Sequence, residues 1–213
     1  MRQSIQALVM FAALITTSVV FAEDTTINLD SWPKPTLPKE VVFAADTYII
    51  DPNHTTFGFT VQHMMISNVP GEFDKFSGQI TYSPTDLANA KADITIDAAS
   101  INTRVDGRDA DLKGPNFFDA AKYPNITFVS TKFTPTAITG NLTMKGITQA
   151  VAIPVTISGP VKTMKGSKAI GITGSVIINR QDWGISWNKN LDEGGVVVSD
   201  NVNVNISIEA DIK

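Results

Sequence analysis

From Asp46 onward the chain is written in a period of two. Phe57, Phe59 and Val61 alternate with Thr56, Gly58, Thr60 and Gln62. Ala92, Ile94, Ile96 and Ala98 alternate with Asp93, Thr95 and Asp97, and Val202, Val204, Ile206 and Ile208 with Asn203, Asn205, Ser207 and Glu209. Side chains on a strand change face at every residue, so each run predicts a strand with one apolar face. In another run Ile126, Phe128, Ser130 and Lys132 sit opposite Thr127, Val129, Thr131 and Phe133. Further strands are expected over 47–51, 73–82, 137–144, 150–158 and 169–179, each bounded by Gly, Pro, Asn or Asp.

Helical signals are sparse: one segment over 105–121, with Asp106 as its N-cap, and a short one after Arg180. Eight or nine strands at short spacing, with no βαβ rhythm, give an all-β fold. An antiparallel meander of this kind removes its edges by closing. The expected architecture is therefore an antiparallel β-barrel of about eight strands with one or two short helices. Such a barrel is either filled by its own side chains or holds one elongated apolar ligand. Small inward residues (Ala92, Ala98, and Gly58 or Gly78 by register) leave room for a lumen, but a filled β-sandwich core of the same composition reads alike.

The N-terminus changes the picture of where this barrel works. Arg2 precedes an apolar run from Ala7 to Val20, and Val20-Phe21-Ala22 precedes Glu23, the layout of a secretory signal peptide over residues 1–22. Residues 23–45 form an arm, with three prolines in the eleven residues from Asp30 to Glu40. Val41-Val42-Phe43 is expected to pack the arm onto a domain spanning 46–213. Cleavage after Ala22 would remove one basic residue and leave 16 Lys+Arg against 21 Asp+Glu, a net charge of −5. That acidity argues against nucleic acid as a partner and against electrostatic docking on anionic lipid. No later stretch is long and apolar enough for stable membrane insertion as a helix. The chain has no cysteine, which excludes disulfide scaffolds, thiol catalysis and thiolate metal sites. Together these features fit a bacterial periplasmic or secreted protein.

Candidate chemistry is thin. The two histidines, His54 and His63, are nine residues apart, so a continuous strand would place them on opposite faces and about 30 Å apart, too far to share a metal. His63 falls on the face of Phe57, Phe59 and Val61; it is either a buried, hydrogen-bonded histidine or the polar group at a ligand's head. His54, after Pro52-Asn53, suits a turn or cap. The segment 105–124 holds Asp106, Asp109 and Asp111 but fails the calcium-loop pattern, since Lys113 and Ala120 occupy positions that need ligands. Arg108 and Asp109 can pair there, and Phe117-Phe118 either lid the core or line a ligand mouth. Arg180, Trp183 and Trp187 follow a strand; the two tryptophans, four apart, would share a helix face that plugs a barrel end or offers a surface. No nucleophile motif accompanies the histidines, and no phosphate-binding glycine loop is present, so catalysis and a cofactor are not expected.

In this order, Asp51-x-x-His54, Phe57-x-Phe59-x-Val61-x-His63, Val69-x-Gly71-x-Phe73-x-x-Phe76-x-Gly78, Arg108-Asp109-x-x-Leu112, Phe117-Phe118-Asp119, Tyr123-Pro124, Phe128-x-Ser130, Gly140-x-Leu142-Thr143-x-x-Gly146-x-Thr148 and Ile178-Asn179-Arg180-x-x-Trp183-Gly184 resemble the YceI-like family of exported polyisoprenoid-binding proteins. The resemblance covers residues 46–213. It implies a lipocalin-like barrel with a long apolar lumen, a non-enzymatic carrier of an isoprenoid or fatty lipid, an exported location and, often, a homodimer. His54, Phe57, Phe59, Val61, His63, Arg108, Asp109, Phe117, Phe118, Arg180 and Trp183 would then meet the ligand. Asp111 stands where many members carry His, which removes a titratable group near the mouth. The competing reading is a filled β-barrel serving as a structural or protein-interaction module.

Overall fold

A computed structural model describes residues 45–164, 166–192 and 194–212; the expected signal peptide and all of the expected arm but Ala45, Val41–Phe43 included, lie outside them. The strands are β1 (Asp46–Ile50), β2 (Thr56–His63), β3 (Ser67–Phe73), β4 (Phe76–Tyr82), β5 (Lys91–Asp97), β6 (Ile101–Asn102), β7 (Asn125–Thr134), β8 (Ala137–Met144), β9 (Ile147–Lys162), β10 (Lys168–Asn179) and β11 (Val198–Asp211). They form one antiparallel sheet in the order β1-β4-β5-β7-β8-β9-β10-β11-β2-β3-β6, closed by a β1–β11 pairing. Three staves are broken. β1 and β2 both pair with β11; β4 and β3 pair with β1 and β2 in turn; β5 and β6 pair with β4 and β3. The result is an eight-stave closed barrel, the expected fold.

Alternation accounts for most of the wall. Tyr48 and Ile80, inward on paired strands, are fully buried, and Ala92, Ile94, Ile172 and Ile208 join them in one core. Three sequence expectations need correction. The run 73–82 is not one strand, because Asp74-Lys75 separates β3 from β4, and β3 itself went unforeseen behind Pro70 and Gly71. Pro70 is tolerated because β3 pairs with β6 only at Glu72 and Phe73, which leaves Pro70 on a free edge. A bulge between Ser130 and Lys132 then shifts the face of β7, so Phe133, expected opposite Phe128, is buried in the core against which half-buried Phe128 packs. Finally the helix, here α1 (Asp106–Lys113), stops eight residues short of the expected Ala121. Gly114 is extended ahead of Pro115, whose ring disfavours helical backbone in the preceding residue. Val105, not Asp106, is its N-cap.

The break in the first stave is a local, hydrogen-bonded turn. Asp51 accepts from the backbone and side-chain nitrogens of Asn53 at 2.9 and 3.1 Å, and its second oxygen lies 2.6 Å from His54 Nδ1. These bonds hold the Asp51 carboxyl below its ordinary pKa and raise that of His54. The strand-parity argument therefore does not reach His54, which the turn leaves exposed beside Asp51.

Two close approaches shape the interior. A Cβ built on Gly140 would sit 2.4 Å from the Phe128 ring, and one on Gly71 2.3 Å from the Phe59 ring. The outer end of each ring rests against a glycine on the neighbouring strand, a packing that any larger residue blocks.

Two predictions follow from these contacts. Gly140→Ala should lower unfolding stability by about 1–3 kcal/mol through overpacking against Phe128, read as a lower urea midpoint at unchanged slope. In a proton NMR titration of the two histidine rings, Asp51→Asn should lower the His54 midpoint. A raised His54 pKa stabilises the fold below the ordinary histidine range, and that contribution fades as pH rises through the raised value. An unmoved His54 midpoint would refute the turn's electrostatics.

Candidate ligand-binding lumen

The barrel interior is not packed solid. At the end where β2, β3 and β11 meet α1, a cavity of about 500 Å³ is bounded by Phe59, Val61, His63, Val69, α1 and Phe117. A second, of about 160 Å³, shares Phe59, Val61, Leu112, Phe117 and Val198 with it and continues inward past Phe73, Phe118 and Met144. A third, of about 90 Å³, shares Phe57, Ile96, Leu142, Ile178 and Val204 with the second and reaches Ile80 and Ile208. Shared walls set the three end to end along the barrel interior, and the two deeper chambers are lined almost wholly by hydrocarbon. Measured on β2, which pairs with β11 across an irregularity between Val198 and Val202, the stretch from Val198 to Ile208 spans about 26 Å of strand, or about 20 Å along the axis of a barrel whose strands tilt 35–45°.

Polar groups gather at the mouth, and most are already engaged. Thr103, buried beneath α1, donates its backbone N–H and its hydroxyl to Asp109 Oδ1. The same hydroxyl accepts from Arg108 Nε at 2.7 Å, and the Thr103 carbonyl from Arg108 Nη2 at 2.8 Å. Arg108 and Asp109 thus meet on Thr103 instead of on each other, and together they pin α1 across the opening. Asp109 is buried away from the cavity wall, whereas Arg108 borders the mouth together with His63.

Arg180 is 4% exposed and spends its donors on the segment 185–200. Nε bonds the Ser199 carbonyl, Nη1 the carbonyls of Ile185 and Trp187, and Nη2 the Val198 carbonyl at 3.4 Å and the Asp200 carboxylate at 3.0 Å. Burial lowers its pKa, and Asp200 opposes that shift. Its stem borders the middle chamber, but its head ties the mouth loop in place.

The expected helix face carrying Trp183 and Trp187 does not form. A single 3-10 turn, Arg180–Trp183, ends where Gly184 takes a left-handed φ of 68°. Trp183 turns inward, 2% exposed, and donates Nε1–H to the Leu142 carbonyl at 3.0 Å. Trp187 stays on the rim and packs its ring on Phe117 at 5.3 Å.

Of the eleven residues singled out from sequence, Phe57, Phe59, Val61, His63, Arg108, Phe117, Phe118 and Arg180 border the lumen. Trp183 supports its wall from the core. His54 lies outside it, on the exposed turn; Asp51, His54 and Glu209 there each bring one ligand atom within 4.8 Å of the others, with His54 Nδ1 already bonded to Asp51. Sequence reasoning missed Thr103, Leu112 and Val69. Leu112 and Val69 stood in the family-like motifs as apolar residues of no stated role, while nothing in the spacing marks Thr103 as the hub of the Arg108–Asp109 pair.

Comparison with known proteins fits this geometry. The YceI-like domain matches residues 48–210. A UPF0312 protein of Staphylococcus aureus is 37% identical over 166 residues, covering 78% of this chain and 97% of its own length. The crystal structure of BcnA from Burkholderia cenocepacia superposes with a TM-score of 0.67 at 27% identity, covering 76% of this chain and 99% of its own. A polyisoprenoid-binding domain from Saccharophagus degradans shares the fold, with a TM-score of 0.59 at 17% identity over 78% of this chain and 98% of its own. With a family match over most of its length and an extended relative above 30% identity, the chain belongs to the YceI-like family.

Proposed function

We propose that this protein is an exported, non-enzymatic carrier that holds a polyisoprenoid or similar long-chain amphipathic lipid in the barrel lumen. The observation that carries the reading is the layout of the lumen: chambers set end to end over about 20 Å, apolar in depth and polar only at one end. A chain lying along it would leave water at roughly 25 cal/mol per Å² of apolar surface buried. His63 from β2, with Arg108 and Asp111 from α1, are the titratable groups bordering the mouth and would face its head group. A polyisoprenoid-binding domain on the same fold supports a prenyl chain as the tail. The signal-peptide pattern of residues 1–22 supports export to a periplasmic or extracellular space.

Organic extraction of protein purified from its own host, followed by mass spectrometry, should release a long-chain lipid in near-stoichiometric amount. Val204 borders both the middle and the deepest chamber, so Val204→Trp should obstruct their junction. Uptake of long prenols should then fall at least about tenfold while short prenols, confined to the outer chambers, keep their affinity. Equal affinity for long and short chains in the folded variant, or no lipid and no uptake in the parent, overturns the carrier.

A further inference from the structure

The lumen mouth carries an apolar tip that the barrel's own packing does not require. β2 and β3 are joined through a turn in which the Ile66 amide donates to the His63 carbonyl at 3.1 Å. Its two central residues, Met64 and Met65, hold φ of 50° and 63°. Two successive left-handed residues are the signature of a turn normally made by Asn-Gly or Asp-Gly, and methionine is strained in both places. The strained residues also face water: Met64, Met65 and Ile66 are 40%, 52% and 83% exposed.

The tip is held firmly from behind. Met64 N–H donates to the Val197 carbonyl at 2.8 Å, Gln62 Nε2 to the Met65 carbonyl at 3.1 Å, and Met65 Cγ lies against Gly195. Gln62, His63 and Val197, which flank the tip, also border the mouth cavity, as does half-exposed Trp187. A rigid apolar prong therefore stands at the edge of the opening, with a collar of Gln62, His63, Ser67 and Asn68 directly behind it.

We propose that Met64–Ile66 inserts into the interfacial layer of a zwitterionic lipid bilayer and seats the lumen mouth on the membrane, so that a lipid passes between them without crossing water. The proposal rests on the carrier reading for its purpose but not for its geometry. A hairpin tip is convex and three residues wide, far short of the roughly 800 Å² per partner that a stable protein interface needs. Apolar side chains ahead of a polar collar, with a tryptophan at the rim, match the layering of a bilayer surface. The chain's net charge of −4 makes apolar insertion, not attraction to anionic lipid, the driving term.

The test uses phosphatidylcholine vesicles and two variants, Ile66→Asp and the double change Met64→Asn with Met65→Gly. The parent should co-sediment with vesicles, with little response to salt, and Ile66→Asp should weaken this by about tenfold or more. The double variant should also lose vesicle binding yet melt at a higher temperature than the parent, since it relieves both strained dihedrals. Prenol delivered from cyclodextrin, with no membrane present, should fill all three proteins equally, while extraction from vesicles should be slowed in both variants. Failure of cyclodextrin uptake in the parent sinks the carrier reading and leaves the vesicle arm to decide the docking. Unchanged vesicle binding in the variants overturns the docking, as does a parent that never binds vesicles. Loss of a solution dimer at unchanged vesicle binding would overturn it in favour of a second copy as the occupant.

Discussion

Everything in this barrel depends on how one strand, β11, closes it. Along one edge β11 runs the length of β10, from Ala169 against Asp211 to Asn179 against Asn201. Its other edge has to be covered by a stave that is itself broken, with β1 holding Ala210 and Asp211 and β2 holding residues from Ser207 back to Val198. An unfilled gap there would leave open backbone in the wall, which is costly. The gap is bridged at Glu209. Its carbonyl accepts from Asp51 N at 2.9 Å and from Thr55 Oγ1, and its amide donates to the Thr55 hydroxyl at 3.1 Å. The Asp51–His54 turn is thus a splice in the seam, and its carboxylate–imidazole bond sits on the outside of the splice.

Breaking three adjacent staves has a consequence at one end only. Near Asp46 and Tyr82 the strands pair tightly and the interior closes on Tyr48, Ile80 and Ala210. Toward His63, β3 pairs with β6 at just two residues. α1 crosses that opening, pinned by Thr103, and the segment after Gly184 crosses the other side, pinned by Arg180. Two buried charged residues, Asp109 and Arg180, therefore serve to position the cover of the lumen. Their hydrogen bonds offset the desolvation that burial imposes on them. Removing either partner would leave a charge without its bonds and loosen the rim, which is a different defect from loss of a head-group contact.

The regular staves were legible because a barrel wall with an apolar interior forces a period of two, which β5 obeys throughout and β11 from Val202 onward. Where the sheet departs from regularity, the pattern misled. The bulge at Ser130/Lys132 turns Phe133 inward, Pro70 conceals β3, and Gly114-Pro115 ends α1 early. Among the site residues, the apolar row Phe57, Phe59 and Val61 was readable from alternation alone. The polar residues were not, because their roles are set by loops that bring Thr103 between Arg108 and Asp109 and four carbonyls around Arg180. Chemistry that looked available for a ligand in one dimension is, in three, largely committed to the protein itself.

Whether such a barrel is filled or hollow cannot follow from composition, since the same Phe, Ile and Val serve either. The difference lies in where the aromatic rings rest. Phe59 and Phe128 each rest the end of the ring against a glycine of the neighbouring strand, Gly71 and Gly140, at a separation that leaves no room for a Cβ. With any side chain at those glycines, the rings would have to stand up into the lumen and occupy the chambers they now border. The two glycines therefore stabilise the wall and clear the interior by the same contact. Gly71-x-Phe73 and Gly140-x-Leu142 stand among the motifs of the family resemblance, and the physical reason for their glycines is the hollow rather than the strand.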